Sequence, residues 1–394
     1  MDLASLEKRN VAILVISQTL FMVASITVMT LSGVVGHQLS PDPGLATLPI
    51  AVMMLGTVIS TLPASLYMKR VGRRRGFITG ASLGGVCGGA LSFVAIAVES
   101  FWLFCLASLL LGVYQGFAMY YRFAAADVAS PAFRSRAISL VMAGGVVAAF
   151  LGPWNASAAI HLIAQVPSGG PYLVIAVLAL VAIGLLNQLR VPPAEGTKPS
   201  AAPRPMATIA SQPTFLLAVL AAAAGYAVMM LVMTATPLAM RNQGFEMSQV
   251  AFIMQWHVLG MFAPSFVTGS LIARFGIPRM LVAGTLLFAG TAAIANHGVS
   301  LAHYWGALVL LGVGWNFLFV SGSTLLASAH AESERGKVQG VNDLIIFSLV
   351  GLGSLMAGAM LHRFGWELLN LLMLVPTLLV ALATLWFRLR LRPR

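Results

Sequence analysis

Apolar stretches long enough to cross a bilayer recur from one end of this 394-residue chain to the other. A spanning helix needs about 20 such residues, because the hydrocarbon core is about 30 Å thick. Inside that core each backbone N–H and C=O must be satisfied within its own segment, so these runs fold as helices. With 59% of residues hydrophobic and only 9% charged, a soluble enzyme is excluded. The hydropathy predicts an all-α integral membrane protein with twelve spans: 10–36, 44–68, 76–98, 101–126, 137–160, 171–189, 213–240, 248–273, 279–296, 301–327, 338–361 and 366–387.

The net charge of +12 could suggest a nucleic-acid partner, but its distribution argues against one. With the N-terminus inside, 20 of the 23 Lys and Arg fall in cytoplasmic loops and tails; Arg241 and Arg363 lie outside and Arg122 within a span. This is the positive-inside asymmetry, and it places both termini in the cytoplasm. Residues 1–9 are short and charged, so the first apolar run reads as a membrane helix and not as a signal peptide. Cys87 and Cys105 fall within apolar spans and do not make a disulfide framework.

A Pro-, Ala- and Ser-rich stretch at 191–212 has no apolar period and reads as a cytoplasmic linker. It divides the chain into halves, 1–190 and 213–394, that resemble each other at a period near 200 residues. Leu110-Leu111-Gly112-Val113 recurs as Leu310-Leu311-Gly312-Val313. The loop around Gly72 has a counterpart around Gly276, and Pro131–Arg136 corresponds loosely to Glu332–Lys337. A duplicated six-helix unit predicts a substrate site between the halves and alternating access by rocking one half against the other.

Two predicted helices carry pairs of metal-capable side chains at i and i+4, one turn apart on one face. Met229 and Met233 form the first pair, His257 and Met261 the second. Three thioethers and an imidazole facing each other would make a soft site suited to Cu(I). Each methionine alone reads equally as core or lipid-facing filler, since the chain has 20. His257 is the only histidine deep in a span and reads as a ligand, a proton carrier or a satisfied structural group. His37, His161, His297, His303 and His362 fall near the outer ends of spans, where they either collect metal or stand in for depleted Lys and Arg.

Twelve spans in two halves, with a basic loop after span two and an echo after span eight, resemble the major facilitator superfamily. The family loop usually reads G-x-x-x-D-R-x-G-R-R. Arg70, Gly72, Arg73 and Arg74 match it, while Ser65 replaces the first glycine and Lys69 the acid; in the second half Gly269, Arg274 and Gly276 match and Ala273 replaces the acid. M-x-x-x-M on span seven with H-x-x-x-M on span eight is similar to the copper-importing, CcoA-like branch that supplies haem–copper oxidase assembly. That resemblance implies Met229, Met233, His257 and Met261 as metal ligands. It further implies copper as the transported substrate without an organic cofactor, a bacterial inner-membrane location, a cytoplasmic copper acceptor and a monomer in the lipid bilayer.

Asp343 in span eleven reads as a proton-coupling or gating acid, with Arg122 in span four as its opposite charge. Asp127 reads as the partner of a loop arginine such as Arg73, as a similar acid is in the family. No P-loop, dinucleotide fingerprint or nucleophile elbow occurs, which leaves a gradient or downhill flow to drive transport. The first alternative is a proton-coupled carrier of a small organic molecule, a vitamin or drug. Asp343 and His257 would then handle protons, and Trp256, Trp315 and Asn316 would line the pocket. A second is a non-transporting sensor or chaperone for an oxidase.

Overall fold

The computed structural model describes residues 3–130, 133–190, 204–331 and 334–390. Most of the linker (191–203), Lys198, Arg392, Arg394 and parts of the matched loops at 131–136 and 332–337 lie outside the described residues. In chain order the helices are α1 (Leu3–Leu39), α2 (Leu48–Val71), α3 (Arg73–Gly80), α4 (Cys87–Ala97), α5 (Phe101–Ala118), α6 (Tyr121–Val128), α7 (Arg134–Ala158) and α8 (Gly170–Leu186). There follow α9 (Met206–Ala210), α10 (Pro213–Asn242), α11 (Met247–Phe262), α12 (Ser265–Phe275), α13 (Ile277–His297), α14 (Leu301–Ala327), α15 (Arg335–Leu372) and α16 (Leu374–Arg390). Each predicted span falls on helix. Among the described residues nine helices are long and apolar enough to cross a membrane, ten when α11 and α12 count as one bent span.

Several spans expected to be unbroken are not. Between α3 and α4 the helix widens to a π turn over Ala81–Val86. Span eight bends by 42° between α11 and α12, at Ala263 and Pro264. A proline there has no N–H to give to the preceding turn. By contrast, the break of α15 at Gly365 (φ 73°, ψ 177°) falls in the gap expected between the last two spans.

Packing divides the chain into two compact units. One is Met1–Glu195 with Met240–Gln255, the other Gly196–Ala239 with Trp256–Arg394. In the first, α2 packs on α5 and α1 on α7; in the second, α13 packs on α14 and α16. Lipid tails are as apolar as leucine, so helix association in a membrane depends on close fit and polar contacts. The glycines supply the fit. A Cβ on Gly112 would strike the Met53 carbonyl and Gly56, and one on Gly312 would strike the His257 carbonyl and Gly260. The repeat read from sequence is thus also a repeat of helix crossings. Buried polar side chains supply the contacts: Thr27 donates to the Gly152 carbonyl at 3.0 Å, and Tyr172 and Ser32 pair their hydroxyls at 2.7 Å. Large apolar residues such as Leu62, Trp154, Phe266 and Leu286 stay more than 60% exposed, as lipid-facing positions require.

Candidate functional site

The basic loop is built around glycine. Gly72 ends α2 with φ 88° and ψ 157°, and Gly276 ends α12 with φ 80° and ψ 154°. This backbone region is essentially closed to side chains with a Cβ. It reverses the chain between two helices within one residue. Downstream of the turn, Arg73 Nε donates to Asp127 Oδ2 at 3.2 Å and its guanidinium lies 5.6 Å from the Tyr120 ring centre. Arg70 and Arg74 are exposed.

Arg122 and Asp343, expected to oppose each other, belong to different units. The Arg122 guanidinium lies over the Phe123 ring at 4.8 Å. Asp343 is half-buried and accepts from Asn342 Nδ2 at 3.1 Å.

Met229 and Met233 on α10, and His257 and Met261 on α11, all fall within the second unit. His257 has no exposed surface, and the three methionines show 6% or less. The His257 ring is fixed by α14: Nδ1 lies 2.8 Å from the Leu308 carbonyl. A carbonyl can only accept, so the proton sits on Nδ1, and in the neutral ring Nε2 offers a lone pair. Among the described residues that nitrogen has no hydrogen-bond partner. No group of three or more His, Cys, Asp and Glu side chains among them is placed to hold a metal ion. A metal site here would therefore rest on methionine sulfur.

Asn316, expected to line a pocket in the organic-carrier alternative, does something else. It is 1% exposed, and its amide is fully engaged at the bend of span eight. Nδ2 donates to the Met261 carbonyl at 2.7 Å and to Ser265 Oγ at 2.6 Å, while Oδ1 accepts from Thr268 at 2.6 Å. A broken helix leaves backbone acceptors unsatisfied, and in a membrane a neighbouring side chain has to meet them. Asn316 is the staple of the bend and not a pocket wall. The sequence signal for this was Pro264 within a span, three residues after the H-x-x-x-M motif.

The sequence reading also passed over an aromatic cluster from four helices of the second unit. Trp315 and Phe319 on α14 stack with centroids 5.0 Å apart and planes 10° apart. Tyr226 on α10 sets its edge to both, at 5.3 and 5.5 Å. Phe347 on α15 lies 6.2 Å from Tyr226, and Phe262 on α11 lies 6.1 Å from Trp315. Tyr226, Phe262, Phe319 and Phe347 are half-buried, so the cluster keeps open surface. Of the residues expected to line a pocket, Trp315 belongs to it. Trp256 instead packs against Trp305 at 5.8 Å. Aromatics spaced over four helices have no linear pattern that would reveal them.

The chain matches the sequence profile of the Major Facilitator Superfamily over residues 13–256 and 217–394. It is 42% identical to the riboflavin transporter RfnT of Brucella anthropi, over 99% of this chain and 98% of that protein. It is 29% identical to YdeG of Bacillus subtilis, an uncharacterised transporter of the same type, over 98% and 93% of the two chains. Among solved structures it superposes on a bacterial homologue of the human lysosomal transporter Spinster, in an inward-facing and occupied conformation. The TM-score is 0.71 at 16% identity, covering 96% of this chain and 95% of that one. The human organic anion transporter MFSD10 gives 0.67 at 15%, covering 96% and 99%. The predicted copper branch is not where this similarity points: the 42% relative carries an organic vitamin. By sequence over its whole length and by fold, the chain belongs to the major facilitator superfamily and is a multi-pass membrane carrier, not an enzyme.

Proposed function

We propose that this carrier moves a small organic molecule with a flat aromatic ring system, of the vitamin class and specifically a flavin. The observation that carries the reading is the partly open cluster of Tyr226, Trp315, Phe319, Phe347 and Phe262. Aromatic surfaces at centroid spacings of about 4.5–7 Å are the natural partners of another flat ring. The 42% relative, which carries riboflavin, narrows the ring to a flavin. His257, with Nε2 open, supplies a buried acceptor for a ring N–H or a proton in transit, and Asp343 is the acid for proton coupling. The membrane is the bacterial inner membrane, with both termini cytoplasmic, as the Lys and Arg bias supports.

The test is uptake of labelled riboflavin into proteoliposomes under an imposed proton gradient. Uptake should saturate, and Phe319→Ala, which removes a half-buried ring of the cluster, should lower it about tenfold, the lower-middle range for loss of one stacking partner. Absence of riboflavin uptake by correctly folded protein would sink the flavin reading.

Copper import stands as the second reading. Its one favourable observation is the same unpartnered Nε2 of His257, on a helix that also carries Met261 and in a unit that also holds Met229 and Met233. In that reading a cytoplasmic acceptor takes up the ion. Metal analysis of the purified protein beside His257→Ala separates the two. Equal copper in both removes the second reading and leaves the first standing.

A further inference from the structure

A cavity of about 550 Å³ lies in the first unit where α2 and α8 end and α3 begins. Four arginines line it, Arg73, Arg74, Arg75 and Arg190. Arg73 is neutralised by Asp127 at 3.2 Å. Arg74, Arg75 and Arg190 are exposed, and no acid pairs with any of them among the described residues. The stretch 69–75 holds five basic residues and no acid. Such a concentration of positive charge is unfavourable on its own and calls for an anion.

Two further features restrict what that anion is. Ile78 and Leu189 give the same cavity an apolar wall. The helices that end here are a bilayer-length span, α2, and the shorter apolar helix α8, so the cavity lies at the level where headgroups meet hydrocarbon. A fully soluble phosphate would use the arginines and leave the apolar wall without a partner. A phospholipid would use both, with its phosphate on the guanidinium forks and its glycerol and acyl roots on Ile78 and Leu189.

We propose that this cavity is a binding site for the headgroup of an anionic phospholipid. Arg190 also has its backbone pinned to Asn10, whose side chain accepts from the Arg190 N–H at 3.2 Å and donates to its carbonyl at 2.7 Å. A lipid held there would brace the ends of α1, α2, α3 and α8 together.

The experiment delipidates the wild-type protein in detergent and titrates it with phosphatidylglycerol, phosphatidylcholine, glycerol 3-phosphate or inorganic phosphate, reading bound lipid by native mass spectrometry and the melting temperature. Phosphatidylglycerol alone should be retained and stabilising. The variant R74Q/R75Q/R190Q should weaken its binding about fivefold per arginine removed. K69Q/R70Q removes exposed charge outside the cavity and should keep the lipid. Equal binding of phosphatidylcholine overturns the proposal. So does stabilisation by the soluble phosphates equal to that by the lipid, or an unchanged affinity in R74Q/R75Q/R190Q. The titrations on the wild type decide the matter even if that variant does not fold.

Discussion

Replacing Asn316 by Ala isolates the cost of leaving the bend in span eight unstapled. The substitution removes two donated hydrogen bonds, to the Met261 carbonyl (2.7 Å) and Ser265 Oγ (2.6 Å), and one accepted from Thr268 (2.6 Å). Interhelical hydrogen bonds in membranes average about 0.6 kcal/mol each, so the three together contribute about 2 kcal/mol. Ser265 is exposed, and Thr268 keeps the Pro264 carbonyl at 2.8 Å. The Met261 carbonyl has no such substitute, and a buried unmet acceptor costs about 1–3 kcal/mol. The expected loss is therefore about 2–4 kcal/mol, or about 4–8 °C in melting temperature at about 2 °C per kcal/mol. Thr268→Val removes one of the three bonds and leaves the buried Asn316 Oδ1 unmet, so it should cost less, about 1–2 kcal/mol, and the double variant should fall short of the sum because the pair shares one bond. Melting in detergent, followed by fluorescence of a fused reporter, measures all three. A shift for Asn316→Ala no larger than that of Thr268→Val would refute the staple, since the lost Met261 contact would then weigh nothing.

The other predictions concern the loops and the linker end. Gly72→Ala and Gly276→Ala should each destabilise by about 1–3 kcal/mol through backbone strain alone, because no atom crowds a Cβ at Gly72 and only a ring carbon of Pro278, at 3.9 Å, approaches one at Gly276; equal melting of either variant and the parent would contradict that. Arg204 holds Glu334 through two side-chain contacts at 2.7 Å, and with backbone donors from Ala331 and Arg204 this lowers its carboxyl from 4.5 to about 2. A depressed carboxyl stabilises the fold above its unfolded value and loses that contribution as pH falls through the folded one. The contribution is thus complete above about pH 5 and gone near pH 2. The melting difference between parent and Glu334→Gln should shrink as pH is lowered from 7 to 3, and a constant difference would show that the pairing is not electrostatic.

Hydropathy alone carried the fold a long way. Bilayer-length apolar runs, basic loops and a 200-residue echo are properties of consecutive residues, and a membrane helix obeys them because it must satisfy its own backbone. Gly72 and Gly276 could be paired before any coordinates were known, and their matched positive φ values follow from the same loop geometry used twice. The interruptions were less legible. Pro264 announced a bend, but the angle and its stapling by Asn316 depend on what faces the gap: the residue 200 positions earlier than Asn316 is Gly116, where a Cβ would strike Ser60.

Spacing also put His257 and Met261 on one helical face, yet a face is defined only relative to its neighbours. Tertiary packing decided that the His257 ring is turned to the Leu308 carbonyl with Nε2 left open, that Asn316 is spent on backbone, and that five aromatic rings from four helices share one surface. Helix periodicity fixes which side chains of one rod point together. Which rods meet, and at what depth, is set by glycine-sized approaches and buried polar contacts between residues far apart in the chain, and no local pattern records those.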